Sequence, residues 1–357
     1  MSNLALHAGS IARERLLDEG LRPESFRVLV GASGGPKWFV LHGLDRYLFG
    51  EFFGAAANEL ITLGSSAGAW RMSCLATADP VAAIDRLATL YSEQRYSEKP
   101  NEKEVTQQAR LMLRAALGEN GAQEIIENER FRTHILAERC KGLGSSEVKW
   151  LRASWLAASA SLNVISRRTL SWFFQRTVFT NMGDLSPYRN LVDVDTAIVP
   201  LSPDNLHDAM ISSGSIPFVL EGTRDPAGAR PGLYWDGGIV DYHFDLDFCS
   251  GDELVLYPHY LGSVIPGWFD KHISWRHARR SNYDNVVLLA PGQDFIASLP
   301  NGKLSDRGDF VRFGHEERLR LFRQVLDRSQ VLAEEFDRLV HHGVSAEQIK
   351  PIGNLSS

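Results

Sequence analysis

Two serines in the sequence occupy the pattern Gly-x-Ser-x-Gly, which presents a serine hydroxyl at a sharp turn between a strand and a helix. One match is Gly64-Ser65-Ser66-Ala67-Gly68 and the other is Gly31-Ala32-Ser33-Gly34-Gly35. A serine at such a turn can attack an ester carbonyl once a base removes its proton. The amides that open the following helix favour the negative charge that develops on the carbonyl oxygen. Both matches therefore indicate acyl chemistry, with Ser66 and Ser33 as alternative nucleophiles.

Position in the chain favours Ser66 over Ser33. An α/β-hydrolase that used Ser33 would need several strands and an oxyanion loop before it, and an acid and a histidine after it. Only 32 residues precede Ser33, with one predicted strand among them. Ser66 follows a glycine-rich loop that can supply its oxyanion hole. With Ser66 as nucleophile both glycine-rich turns have a role, whereas the α/β-hydrolase alternative leaves residues 64–68 unexplained.

Four sequence blocks occur in an order that resembles the patatin-like phospholipase family. The first is the loop Ser33-Gly34-Gly35-Pro36-Lys37-Trp38, and the second is the turn around Ser66. The third is the serine-rich segment Ser212-Ser213-Gly214-Ser215-Ile216-Pro217, and the fourth is Asp236-Gly237-Gly238. The resemblance covers about residues 26–245. It implies a three-layer α/β/α fold with a mainly parallel central sheet and an acyl-ester hydrolase that works through a Ser-Asp dyad.

The resemblance implies that Asp236 takes the proton of Ser66 directly, without a histidine. A carboxylate can do so if it lies within hydrogen-bond reach and is shielded from water, which raises its basicity. Gly237 and Gly238 would let the turn after the strand approach the serine. The alternative is that Asp236 only caps a tight turn, since Asp-Gly is a common turn pair.

The resemblance also assigns the oxyanion hole to the amides of Gly34, Gly35 and Lys37. Pro36 has no N–H and cannot contribute. The Lys37 side chain would neutralise a phosphate head group or hold the loop, or it is an ordinary lysine on the first turn of a helix. The loop departs from the family pattern where Ser33 and Trp38 replace glycines, and Trp38 indicates a bulkier mouth or a different helix packing.

The surrounding pattern predicts how these residues are positioned. Residues 26–30 and 60–63 form two predicted strands, each followed by a turn and a helix, which is typical of a parallel doubly wound sheet. We expect a single patatin-like domain over residues 1–357. Helical predictions complete it: an amphipathic helix at residues 1–20, an inserted helical segment at 80–128, a buried helix at 150–164 and a C-terminal helix at 315–342 packed on the core.

Composition excludes several other classes of protein. The formal net charge is -6, whereas nucleic-acid binders usually carry a basic field, so we expect no nucleic-acid partner. Cys74, Cys140 and Cys249 are far apart in the sequence, odd in number and without a CxxC pair, which favours reduced thiols over a disulfide framework or a zinc site. We expect no metal or cofactor; the acidic run after residue 236 lacks the ligand spacing of a calcium loop. His243 is a candidate triad member, with a histidine at the edge of the core as the alternative.

The expected function is hydrolysis of acyl esters, with phospholipids or related lipids as substrates. Acyl transfer from the same acyl-enzyme and a catalytically silent lipid-binding module are the alternatives. The N-terminus lacks the features of a signal peptide, and no apolar stretch reaches the ~18 residues that a membrane span needs. We therefore expect a cytoplasmic protein, with transient membrane-surface contact as an option. The aromatic segments 172–174 and 268–269 are candidates for lipid contact or, alternatively, for the core.

Overall fold

The computed structural model describes residues 2–54, 56–248, 251 and 253–356. Its strands are β1 (Leu4–Ala8), β2 (Phe26–Gly31), β3 (Leu60–Ser65), β4 (Phe131–Cys140), β5 (Phe174–Thr180), β6 (Thr196–Pro200), β7 (Thr223–Arg224), β8 (Leu233–Asp236), β9 (Leu254–Pro258), β10 (Ala278–Arg279), β11 (Val286–Pro291), β12 (Ile349–Lys350) and β13 (Leu355–Ser356). Its α-helices are α1 (Ser10–Glu19), α2 (His42–Tyr47), α3 (Ala67–Leu75), α4 (Pro80–Ser92), α5 (Glu102–Leu117), α6 (Gly121–Glu127), α7 (Lys149–Ile165), α8 (Leu170–Phe173), α9 (Leu206–Gly214), α10 (Gln293–Ser298), α11 (Asp309–Arg312), α12 (His315–Arg328) and α13 (Gln330–His342).

The central sheet has the order β12-β1-β11-β9-β2-β3-β4-β5-β6, and β8 joins it by pairing with β4. The run from β11 to β4 is parallel throughout. β2 and β3 are apolar and buried along almost their whole length, as expected for strands with both faces covered. Helices flank the sheet, which confirms the predicted three-layer α/β/α class.

Strand β4 fixes the relative position of the two ends that carry the candidate site. Its first half pairs parallel with β3, and Ser65 lies opposite Leu136. Its second half pairs antiparallel with β8, and Asp236 lies opposite Ala137. The carboxyl ends of β3 and β8 therefore meet head to head at consecutive residues of one strand. The turns that leave these two ends must lie side by side.

Helix α3 follows β3 directly and packs on β2, β3 and β4, as well as on α4 and α9. It is anchored to α2 by an ion pair in which Arg71 Nε donates to Asp45 Oδ2 at 2.7 Å and Arg71 Nη2 donates to Asp45 Oδ1 at 2.6 Å. Both side chains are buried. The ion pair therefore holds α3, the helix that follows the turn at Ser66, against α2.

Several helical predictions need correction. The predicted helix at the N-terminus is a strand, β1, followed by α1, because the short apolar run that ends at Gly9 pairs with β11. The predicted buried helix at 150–164 is α7, but it is amphipathic, with Trp150 exposed at 67%. The segment 315–342 forms two helices that meet at Ser329, where the Oγ accepts the N–H of Gly43 from α2.

Other segments bear on the remaining expectations. Residues 80–128 carry α4, α5 and α6, while their status as an insertion stays a prediction. Cys74 and Cys140 are buried free thiols, and Cys249 lies outside the described residues. Among the described helices, none is long and apolar enough to cross a bilayer.

Candidate active site

Ser66 lies at a strained turn between β3 and α3. Its backbone angles, φ of 56° and ψ of -130°, lie outside the regions that residues other than glycine normally adopt. Gly68 makes this turn compact, since a Cβ on that residue would lie 2.0 Å from the carbonyl oxygen of Gly31. Gly64, the other glycine of the motif, is the second-last residue of β3. The geometry is that of a nucleophile elbow.

The hydroxyl of Ser66 donates a hydrogen bond of 2.8 Å to Oδ2 of Asp236. The other carboxyl oxygen, Oδ1, accepts the N–H of Gly238 at 2.8 Å. Ser66 and Asp236 are each 6% exposed. Gly237 and Gly238 form the tight turn that follows β8. The structure thus brings together the serine and the aspartate that the sequence singled out.

Burial raises the pKa of Asp236 from its ordinary value of 3.8 to about 6. The hydrogen bonds from Ser66 and Gly238 and the charges of Arg307 and Lys271 act in the opposite direction, but burial prevails. A carboxylate with a pKa near neutrality is a stronger base than a solvated one and is still ionised at neutral pH. The environment of Asp236 therefore suits proton abstraction.

The serine-rich end of α9 fixes both turns. The N–H of Ser66 donates to Oγ of Ser213 at 2.9 Å. The N–H of Asp236 donates to the carbonyl oxygen of Ser215 at 2.9 Å. One short segment thereby contacts the backbone of both members of the pair. In the sequence this segment is one block of the family pattern, but the pattern alone assigns no role to Ser213 or Ser215.

The glycine-rich loop lies over the same cavity as Ser66. In the described part of the chain, the amides of Gly34 and Gly35 have no hydrogen-bond acceptor. The amide of Lys37 is directed to the carbonyl oxygen of Gly34 at 3.4 Å, within the first turn of the 3-10 helix Gly35–Leu41. Two of the three predicted donors are therefore unengaged, while the third is already in a weak internal bond.

A buried tyrosine holds this loop from beneath. Tyr260 donates its hydroxyl proton to the carbonyl oxygen of Ser33 at 2.6 Å. Its ring packs so closely on Gly34 that a Cβ there would lie 2.5 Å from Cε1 of the tyrosine. The hydroxyl and the ring of Tyr260 therefore hold Ser33 and Gly34, the first two residues of the loop, in place.

His243 belongs to the support of that tyrosine. Its Nδ1 accepts the N–H of Ile265 at 3.0 Å, which places the ring proton on Nε2. Nε2 therefore donates to the hydroxyl oxygen of Tyr260 at 2.7 Å. Burial, reinforced by the nearby charges, holds the pKa of His243 well below its usual range, so the ring stays neutral. Both nitrogens are occupied away from Ser66, and the structure does not bring His243 into a triad.

Ser33, the alternative nucleophile, has a different environment. Its Oγ lies 2.9 Å from Oγ of Ser65 and is buried. Among the described residues, no carboxylate or imidazole bonds to this hydroxyl. The side chain of Ser33 therefore lacks a base at hydrogen-bond distance, unlike that of Ser66.

The pair opens into a cavity of about 270 Å³. Its apolar wall includes Ile216, Pro217, Ile239 and the partly exposed Trp268. Three cationic side chains also line it: Lys37, Lys271 and Arg307. Lys271 and Arg307 come from beyond residue 245, where the family pattern gave no signal, and sequence reasoning missed them.

Two of the acidic residues that follow Asp236, Asp241 and Asp245, are engaged in other contacts. Asp241 accepts two hydrogen bonds from the buried guanidinium of Arg176, at 2.6 and 2.9 Å. Asp245 accepts the N–H of Arg279 and the side-chain amide of Asn282. Within the described residues, no group of three or more histidine, cysteine, aspartate or glutamate side chains is arranged to hold a metal ion.

The aromatic segments are divided between surface and core. Trp172 is 66% exposed, whereas Phe173 and Phe174 are buried. Trp268 is exposed at the cavity rim, and Phe269 packs against the smaller core cluster beneath α7. The sequence alone does not distinguish lipid contact from a place in the core for either segment.

No protein-family model matches the chain, and no curated protein matches it. Among solved structures, it is similar to the crystal structure of VipD from Legionella pneumophila, at 14% sequence identity and a TM-score of 0.38. That similarity covers 87% of this chain and 67% of the VipD chain.

Proposed function

We propose that this protein hydrolyses carboxylic ester bonds of lipids or related acyl esters, with Ser66 as nucleophile and Asp236 as general base. The observation that carries the proposal is the hydrogen bond of 2.8 Å between the Ser66 hydroxyl and the Asp236 carboxylate, formed at a nucleophile elbow. The raised pKa of the buried Asp236 supports its assignment as base.

The reaction begins when Asp236 takes the hydroxyl proton as Ser66 Oγ bonds to the ester carbonyl carbon. The carbonyl π electrons move to oxygen, where the amides of Gly34 and Gly35 stabilise the charge; one such donor is typically worth about 3 kcal/mol. The tetrahedral intermediate collapses, and the leaving alkoxide takes the proton from Asp236. A water molecule then attacks the acyl-enzyme, gives a proton to Asp236, and the acid product leaves as that proton returns to Ser66 Oγ.

The resemblance to patatin-like phospholipases also supports this proposal. Its blocks lie far apart in the sequence, yet the loop, the elbow and the aspartate turn all line one cavity. The apolar wall of the cavity, which includes the exposed ring of Trp268, favours a substrate with an acyl chain. The exposed Trp172 and Trp268 are the side chains through which we propose contact with a lipid surface.

Hydrolysis of a short-chain p-nitrophenyl ester, together with fluorophosphonate labelling mapped by mass spectrometry, tests the assignment. We expect Ser66→Ala to abolish both label and turnover, and Asp236→Asn to abolish turnover. Ser33→Ala is the matched control, because it removes a neighbouring buried serine hydroxyl, and it should stay active. A label on Ser33, or equal turnover by all the folded variants, would refute the dyad. Absence of label and turnover in the folded wild type would favour a catalytically silent module.

A further inference from the structure

The glycine-rich loop offers few free N–H donors to an oxyanion. Pro36 has no N–H, and the amide of Lys37 is directed to the carbonyl oxygen of Gly34 at 3.4 Å. Of the amides in residues 34–37, those of Gly34 and Gly35 are free of an acceptor in the described part of the chain. A side chain with spare N–H groups that reaches the same space would add a third donor.

Arg307 is a side chain of this kind. It lines the cavity beside Ser66, and its Cγ and Cδ lie 3.5 and 3.8 Å from the position that a Cβ on Gly35 would occupy. The neighbouring acid, Asp306, is bound to Lys303 at 2.6 Å. Among the residues that the structure describes, none accepts a hydrogen bond or an ion pair from the guanidinium of Arg307. Its N–H groups are therefore available to a bound substrate.

The other two cations of the cavity are held over aromatic rings. The ammonium of Lys271 lies 3.8 Å from the centroid of the Tyr242 ring, and that of Lys37 lies 5.1 Å from the centroid of the Tyr260 ring. Both are cation–π contacts, which restrain the two ammonium groups. Arg307 has no such contact with a ring of the described residues, and its stem lies against the loop at Gly35. It is therefore the cation best placed to act on the oxyanion.

The turn before α11 holds the backbone of Arg307 within reach of the loop. Lys303 binds the carboxylates of Asp306 and Asp309 at 2.6 and 2.7 Å, and Oδ2 of Asp309 accepts the N–H of Asp306 at 2.8 Å. These contacts brace the residues on both sides of Arg307. The side chain itself is exposed at the cavity rim, so its guanidinium is hydrated until a substrate fills the cavity and displaces that water.

The carboxylate of Asp236 is the negative charge that Arg307 already meets in the free enzyme. Burial raises the pKa of Asp236, and the charge of Arg307 opposes that effect, so the two groups attract each other. When Ser66 attacks, its proton neutralises Asp236 and the negative charge moves to the carbonyl oxygen. Arg307 accelerates this step only if it acts more strongly on the oxyanion than on the carboxylate. Its contact with Gly35, whose amide is a proposed donor, puts it on the oxyanion side of the cavity.

We propose that Arg307 is a further catalytic residue, whose guanidinium donates an N–H to the oxyanion alongside the amides of Gly34 and Gly35. This inference rests on the proposed ester hydrolysis at Ser66. Arg307 transfers no proton: it stays charged throughout, and the proton of Ser66 goes to Asp236. Arg307 lies outside the four sequence blocks, so the loop, the elbow and the aspartate turn form only part of the site.

Turnover of a p-nitrophenyl ester at about pH 8.5 tests this role, because Asp236 is then ionised in wild type and variants alike. We expect Arg307→Gln to lower kcat about tenfold with little change in KM, since the lost donor acts in the transition state. Arg307→Lys keeps the charge but loses the planar fork of donors, and it should retain part of the rate. Arg320→Gln, which removes an exposed arginine of α12 that does not line the cavity, should keep the kcat of wild type. An undiminished kcat in Arg307→Gln, or a loss confined to KM, would overturn the inference.

Chemical rescue separates a missing donor from a disturbed loop. In Arg307→Ala, millimolar guanidinium ion should raise kcat several-fold, whereas tetramethylammonium, a cation without N–H groups, should not. Equal effects of the two cations would overturn the donor role.

Fluorophosphonate labelling of wild type distinguishes this inference from the proposed function. A wild type that neither labels at Ser66 nor turns over refutes the ester hydrolysis, and the role of Arg307 with it. A wild type that does both, together with an undiminished kcat in Arg307→Gln, refutes only the role of Arg307.

Discussion

Replacement of Asp236 by asparagine separates the charge of this carboxyl group from its shape and hydrogen-bonding positions. Asparagine can still accept the N–H of Gly238 through its carbonyl oxygen. It cannot ionise, so it neither accepts the proton of Ser66 nor carries the cost of a buried charge. We expect the variant to lose turnover while gaining stability at neutral pH.

The gain can be worked from the pKa of Asp236. Burial raises this pKa from 3.8 to about 6 in the folded protein, so the folded state holds the proton more tightly than the unfolded chain. A difference of roughly two pKa units corresponds to about 3 kcal/mol of unfolding free energy. Stability from this group is fully present below the unfolded pKa and is lost as the pH rises through about 6. The ionised carboxylate therefore destabilises the fold where the enzyme would work.

The assay is denaturant unfolding of wild type and Asp236→Asn across a range of pH. Between about pH 5 and about pH 8, the stability of the variant relative to wild type should rise by about 1.4 kcal/mol, because other titrating groups cancel in the difference. Ser66→Ala is the control, since it leaves the carboxylate in place and should keep most of the pH dependence of wild type. A difference that does not change with pH would refute the claim that Asp236 is a buried base of raised pKa.

Three further substitutions test the neighbourhood of the pair. The pKa of Asp236 is raised by burial and partly held down by Arg307, so Arg307→Gln should move the acidic limb of the kcat/KM profile to higher pH. Tyr260→Phe should lower kcat about tenfold with little change in KM, because the glycine-rich loop that we propose as the oxyanion hole loses its hydrogen bond to Tyr260. Arg71→Met should lower the unfolding free energy by about 3–5 kcal/mol in denaturant melts, because it leaves the buried Asp45 unpaired.

Each of these three has a matched control and a contradicting result. Arg320→Gln should have the same pH profile of kcat/KM as wild type. An acidic limb that does not move in Arg307→Gln would contradict the effect of the Arg307 charge on the pKa of Asp236. Tyr257→Phe removes another buried hydroxyl, bonded to the carbonyl of His243, and should keep kcat; an equal loss in both tyrosine variants would indicate general destabilisation. Replacement of both Asp45 and Arg71 by leucine and methionine should cost less than Arg71→Met alone.

The sequence was sufficient to predict the elbow and the parallel core, because both are local patterns. β2 and β3 are continuous apolar runs that end in glycine-rich turns, and such runs indicate buried parallel strands without reference to the rest of the chain. The pairing of Ser66 with Asp236 came from a family pattern and could not come from local physics. Nothing in residues 60–68 specifies a partner that lies 170 residues away.

The parts that could not be predicted depend on tertiary contacts. β4 has no clean alternation, because Thr133, His134 and Glu138 are polar and yet buried. The support of the loop by Tyr260 depends on a ring that meets Gly34 only in the folded chain. The cations at residues 271 and 307 stand in polar segments without a motif, so their shared cavity is visible only in three dimensions.

Strand β4 sets the distance between Ser66 and Asp236, although neither residue belongs to it. Asp236 and Ser65 lie opposite consecutive residues of that strand, so the register of β8 on β4 sets the distance from the carboxylate to the elbow. A slip of one residue would shift Asp236 by about 3.3 Å and turn its side chain to the other face of the sheet. Either change would break a hydrogen bond of 2.8 Å. A dyad without a histidine requires this direct contact, and a strand ladder supplies it more rigidly than a loop could.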